Sequence, residues 1–265
     1  MKNYDTQRII ARYQEKPVSI SKIAKEFNHC EITVSKLLKK ANVPMWTRQD
    51  LNVGELKVDY FKEIDTEIKA YLLGLFAADG CVYGINDSKF FAIQLKKDDA
   101  EMIKYIKNEI NAPRKIVTDK RDGSCGISVV NNLFVQYLVN HGVTEGKSTR
   151  FLPALSDHLM SHYVRGLFDG DGSIVIRKAH SYGKAMRCCV VILAHSNLIN
   201  QLRNYLEDKL NLSHLNFCSN GGEAYSIHYY GRHDFIAVTD FIYKDANLYL
   251  KKKHRKYLEA LSYLS

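Results

Sequence analysis

The sequence predicts an α+β protein: two similar halves behind a small all-α module. Three observations predict it. Two segments are near-copies, Tyr71-Leu-Leu-Gly-Leu-Phe-Ala-Ala-Asp-Gly80 and Tyr163-Val-Arg-Gly-Leu-Phe-Asp-Gly-Asp-Gly172. Each is followed by the same order of alternating strands and apolar-striped helices. The first 50 residues read as helices and hold 10 Lys and Arg against 5 Asp and Glu, whereas the other 215 hold 28 against 24.

Composition bounds the function. The 265 residues carry a net charge of +9, with 46% apolar and 25% charged residues. That is ordinary for a globular protein, and its basic balance favours a polyanion such as nucleic acid. Six cysteines without a C-x-x-C pair speak against a zinc ribbon and for reduced thiols. The N-terminus has no apolar signal region, and the longest apolar run, residues 70–78, is too short to span a bilayer. A cytoplasmic protein, bacterial or phage-encoded and without a membrane partner, is expected. The Cys or Ser start and His-Asn end of an intein are absent.

In the first module, residues 5–15 form a helix capped by Asp5 or Thr6. A second helix follows Ser19 or Ser21, with Ile20, Ile23, Ala24 and Phe27 on one face. Asn28 tolerates the left-handed turn before a third helix, residues 31–41, whose buried face is Val34, Leu37 and Leu38. This resembles a helix-turn-helix. Its second helix would enter a major groove and present Thr33, Ser35, Lys36, Lys39 and Lys40. Trp46 packs on this module or stacks on DNA, packing being the favoured role. The expected organisation is 1–50 helix-turn-helix, 51–66 linker and lead-in, 67–155 first repeat and 156–265 second repeat.

In the first repeat, Asp65 or Thr66 caps the motif helix. Strands follow at 81–83 and 90–95, a helix at 98–111, a hairpin of 114–118 and 125–130 turning at Asp122-Gly123, and a helix at 131–141. The second repeat has strands at 173–178 and 187–194, a helix at 197–210, strands at 214–219 and 224–230, and helices at 234–243 and 253–263. The order αββαββα therefore occurs twice.

With these motifs in place, the chain resembles a single-chain LAGLIDADG homing endonuclease from about residue 55 onward. Leu72 to Gly80 and Val164 to Gly172 take the two signature positions. The resemblance implies two pseudo-symmetric repeats whose curved antiparallel sheets form a DNA-binding saddle. It implies a monomer that makes a double-strand break in a long, loosely palindromic target, as in intron homing by a mobile genetic element. An RNA-splicing maturase and a non-cutting DNA-binding regulator are the alternatives on the same scaffold. Two retained acids argue against the regulator, and a helix-turn-helix favours duplex DNA over RNA.

The chemistry also follows from the residues. Gly74 and Gly166 let two helices cross closely, which brings Asp79 and Asp171 together at one end. Two adjacent carboxylates repel unless a cation lies between them, and hard oxygen ligands favour Mg²⁺, or Mn²⁺ in its place. No backbone ligand is assigned. The resemblance adds Lys97 and His195, at the passage from strand to helix, and Lys147 and Lys253, near the start of each repeat's last segment, as residues around the attacking water. Lys251 and Lys252 compete with Lys253 for its role or contact phosphates. Candidates for reading DNA from the strands are Gln94, Lys96, Arg121, Ser128, Arg177, Lys178, Arg187, Ser226 and His228. Asp169 has Ala77 as its counterpart, so it caps or binds a peripheral ion.

Overall fold

The computed structural model describes residues 3–46, 56–85, 87–178, 186–213, 217–219 and 221–264. The chain begins with helices α1 (Asn3–Glu15), α2 (Ile20–Glu26) and α3 (Glu31–Lys40). Helix α1 starts ahead of Asp5, so Asp5 and Thr6 lie within its first turns rather than at its cap. The Ser19 hydroxyl caps α2 by accepting from the Lys22 amide at 3.2 Å. Asn28 sits at φ 55°, the left-handed turn into α3. Ile9, Tyr13, Val18, Ile23, Ala24, Val34, Leu38 and Val43 form a buried cluster of their own. Trp46 packs against it and donates its indole N–H to the Tyr13 carbonyl at 2.8 Å.

Thr66, not Asp65, caps α4 (Glu67–Asp79), its hydroxyl accepting from the Lys69 amide. Asp65 instead pairs with the Lys69 amine at 2.7 Å. Every residue from Ala70 to Ala78 is buried, so α4 is a core helix without a solvent face. After it come β1 (Gly80–Ile85), β2 (Ser88–Leu95), α5 (Ala100–Glu109), β3 (Val117–Thr118), β4 (Cys125–Val130) and α6 (Asn132–Asn140). The second series is α7 (Asp157–Asp171), β5 (Gly172–Lys178), β6 (Met186–His195), α8 (Ser196–Leu210), β7 (Cys218–Ser219), β8 (Ala224–Tyr230) and α9 (Arg232–Tyr243), with α10 (Lys251–Leu264) closing the chain.

The strands form two antiparallel sheets of identical order, β1-β2-β4-β3 and β5-β6-β8-β7. The expected strand at 114–118 shrinks to two residues, and at 214–219 only Cys218–Ser219 is strand, residues 214–216 lying outside the described set. The expected helix at 98–111 begins as a 3₁₀ turn at Lys97–Asp99 and ends where Asn111 turns left-handed at φ 55°. The expected turn at Asp122-Gly123 holds, with Gly123 at φ 73°.

Helices α4 and α7 pack side by side at the centre. A Cβ on Gly74 would collide with the Tyr163 carbonyl, and one on Gly166 with the Tyr71 carbonyl. Each collision is the other's counterpart in the motif. Only glycine lets the two backbones come this close. Both sheets lay one face on the apolar core that surrounds this helix pair.

Candidate active site

Asp79 and Asp171 are the last residues of α4 and α7. The side-by-side packing carries both carboxyls to the same end of the helix pair: a Cβ on Gly170 would lie 2.8 Å from Asp79 Oδ2. Burial, and then the charge of Asp171, pushes the Asp79 carboxyl up to about 6. The amines of Lys147 and Lys253 pull it the other way. Lys147 Nζ lies 3.7 Å from Asp171 Oδ2. The Lys253 amine donates to the Gly172 carbonyl and senses Asp169, Asp79 and Asp171, while burial lowers its pKa.

Two cavities flank the acids. One, of about 590 Å³, is lined by Asp79, Gln94, Lys96, Asp99, Lys252 and Lys253. The other, of about 80 Å³, is lined by Asp171, Lys147, Arg150 and His195. Each aspartate thus shares a cavity with the lysine of the other repeat. Lys251 points elsewhere, into an ion pair with Glu101 at 2.5 Å. Of the three adjacent lysines, Lys253 is the one coupled to both aspartates.

The strand registers shift one expected equivalence. Gly80 pairs with Ile93 and Gly172 with Ile192, so His195 has Lys96, not Lys97, as its counterpart. Lys96 lines the cavity, whereas Lys97 packs its side chain on the turn at Gly123. His195 reaches the Asp171 cavity, and its Nδ1 is buried without a hydrogen-bond partner.

Arg150 is a site residue that sequence reasoning missed. It is 2% exposed, and its guanidinium donates to the Ala77, Ala78 and Gly80 carbonyls. It therefore holds the segment carrying Lys147 against the end of α4. Its place three residues after Lys147 was the only signal. Asp169 lies inside α7 and caps no helix. It is 1% exposed and accepts from Tyr71 Oη at 2.8 Å, Tyr243 Oη at 2.5 Å and the Leu250 amide at 2.7 Å.

The candidate reading residues divide by face. Buried residues Phe91, Ile93 and Leu95 on β2 turn one face to the core, so Gln94 lies on the open face, with Ser128 across the sheet. On the second sheet Arg177, Arg187, Ser226 and His228 share the open face by register. Arg177 and Arg187 are direct cross-strand partners and both exposed. Like charges so placed repel unless an anion joins them. Ser226 is buried and is hydrogen-bonded to His228, which is in turn bonded to the Tyr230 hydroxyl, each at 2.9 Å. Lys178 lies on the opposite face of its strand, beside Met186, because alternation places it there. Arg121 is exposed and paired with Asp119 at 2.7 Å. On α3, Thr33, Lys36, Lys39 and Lys40 are exposed and Ser35 is half-buried.

Glu67, His158 and His162 cluster at the other ends of α4 and α7. The Arg165 guanidinium lies 2.6 Å from His162 Nδ1 and can only donate. Neutral His162 therefore keeps its proton on Nε2, the atom facing Glu67, and that nitrogen is not free to hold a metal. Burial, then Arg165, lowers its pKa to about 4.

The comparisons agree with this architecture. Residues 66–137 match the LAGLIDADG-like domain. The structure is similar to the I-LtrWI LAGLIDADG homing endonuclease bound to target DNA, at 14% identity and a TM-score of 0.51, over 78% of this chain and 90% of that one. It is similar to I-SmaMI bound to cleaved DNA, at 12% identity and a TM-score of 0.52, over 74% and 88%. It is also similar to the I-AabMI meganuclease bound to uncleaved DNA, at 14% identity and a TM-score of 0.52, over 73% and 90%. No curated protein sequence matches the chain. No described helix is long and apolar enough to cross a membrane. The mixed helices and antiparallel sheets are those of the LAGLIDADG endonuclease fold.

Proposed function

We propose that this protein is a site-specific endonuclease that cuts both strands of a long, loosely palindromic DNA duplex by metal-dependent hydrolysis. It would work as a monomer whose two repeats are related by a pseudo-twofold axis along α4 and α7. The observation that supports this best is the meeting of Asp79 and Asp171 between two cavities rimmed with Lys, Arg and His.

The donor set suits a hard divalent ion. Asp79 is largely withdrawn from solvent, and its neighbour Asp171 offers a second carboxylate. Asp79 and Asp171 would hold Mg²⁺ or Mn²⁺. When bound, such an ion makes water more acidic and stabilises charge on a leaving oxygen. The chain's own groups do the rest. Lys253 and Lys147 place positive charge where a scissile phosphate would gain negative charge. His195 and Lys96 stand at equivalent strand ends and orient water in their respective cavities.

The open sheet faces would lie along the major groove. Gln94, Ser128, Arg177, Arg187 and His228 would face base edges or phosphates, with the buried Ser226 holding His228, and the Arg177–Arg187 pair would be relieved by a phosphate between them. Helices α2 and α3 would act as a helix-turn-helix, with Thr33, Ser35, Lys36, Lys39 and Lys40 extending the footprint.

The test is selection of a cut site from a randomised duplex library, followed by plasmid cleavage. The wild-type chain linearises the selected plasmid with Mg²⁺ and not with EDTA, and Asp79→Asn or Asp171→Asn reduces linearisation at least ~1000-fold, as expected for an essential ion ligand. Cleavage that persists in EDTA would refute the metal reading.

A further inference from the structure

The two repeats hold their lysines by different devices, and the difference lies in residues that the duplicated motif does not share. On α7, Arg165 and Asp169 stand one turn apart. Arg165 donates to the Leu248 carbonyl at 2.9 Å and the Ile242 carbonyl at 3.2 Å. Asp169 accepts from Tyr243 at the end of α9 and from the Leu250 amide just before α10. Together they strap the connection from α9 to α10 onto the helix that ends in Asp171. Lys253 lies three residues past that anchored amide, and its amine is fixed on the Gly172 carbonyl. On α4 the equivalent positions are Leu73 and Ala77, which can make no such bonds. There Arg150 grips the end of the helix instead, and Lys147 keeps a side chain 47% exposed.

We infer that Asp169 is a positioning residue for Lys253 and hence for one DNA strand only. Its carboxylate receives three hydrogen bonds, is 1% exposed and borders the cavity that holds Lys253, so it acts on that lysine, through the first turn of α10 and through its charge. The strand-specific part rests on the endonuclease reading, and the positional part does not.

The experiment has two arms. In metal-free protein without DNA, amine labelling followed by mass spectrometry compares Lys253 with Lys147 in the wild type, Asp169→Ala and Tyr243→Phe. Tyr243→Phe keeps the ring and removes one bond, which guards against loss of the fold. Lys253 labelling should rise at least threefold in both variants while Lys147 stays unchanged. Equal rates at Lys253, or a matching rise at Lys147, would overturn the inference whatever the DNA arm shows. In the second arm, supercoiled plasmid carrying the selected site is cut with Mg²⁺. Both variants should stall at nicked circles, the uncut strand being the one that Lys253→Ala also leaves intact, with an unchanged KM. Asp169→Ala with Lys253→Ala should be no slower than Lys253→Ala alone. Equal slowing of both strands, or an additive double variant, would refute the strand assignment. A wild-type chain that cuts no DNA while Lys253 labelling still responds would defeat the endonuclease reading and, with it, the strand assignment, but not the positional link.

Discussion

At the scale of single residues, the protonation of Asp79 is the sharpest handle on the site. Its pKa is raised from 3.8 to about 6 by burial and by Asp171. A carboxyl that holds its proton more tightly in the fold stabilises the fold at low pH, and that contribution is lost as pH rises from about 4 through 6. A cation between the aspartates competes with the proton and removes the repulsion. Mg²⁺ should therefore raise the melting temperature by a few degrees at pH 8 and by almost nothing at pH 5, as followed by circular dichroism. Asp79→Asn should abolish the difference. Asp169 is likewise raised to about 6 by burial and borders the same cavity, so Asp79→Asn, which leaves Asp169 in place, is the variant that isolates Asp79. The two helix-terminal aspartates were legible because the motif repeats around them. Arg150 was not, since a buried arginine bonded to backbone carbonyls leaves no periodic trace in a sequence. Lys96 was misaligned by one residue because only strand pairing sets that register.

At the scale of elements, the crossing of α4 and α7 governs the site. Gly74→Ala would drive a methyl into the Tyr163 carbonyl of the neighbouring helix, a backbone atom that cannot step aside. We expect a loss of roughly 3 kcal/mol or more in urea unfolding, and a similar loss for Gly166→Ala. Gly84→Ala in β1 meets only the Ser88 carbonyl at 4.0 Å and should cost less than about 1 kcal/mol. The glycines could be read from sequence because each interrupts an otherwise apolar helix. The short partner strands β3 and β7 could not. They pair along one side only, and two residues of ladder carry too little alternation to mark their ends.

For the molecule as a whole, the proposed function makes the basic N-terminal helices and the open sheet faces two surfaces for one polyanion. Replacing Lys36, Lys39 and Lys40 of α3 together with Ala should weaken DNA binding and reduce the slope of log K against log salt by about 2–3, or about 0.9 for each phosphate left without its lysine. An unaltered slope in fluorescence anisotropy would mean that α3 does not touch the backbone. The repeat order αββαββα was readable from alternating periods, and the sheets adopt it twice. Which strand residues face outward was not readable, since a slip of one residue exchanges the faces; pairing places Arg177 outward and Lys178 on the other side.

The most direct measurement is the anomalous difference density of a crystal grown with Mn²⁺ and the selected duplex. The account predicts a peak bounded by carboxylate oxygens of both Asp79 and Asp171, with phosphate oxygen beside it. A peak confined to Glu67 and His158, or Mn²⁺ density that leaves the aspartate pair unligated in a complex that still cuts, would contradict it.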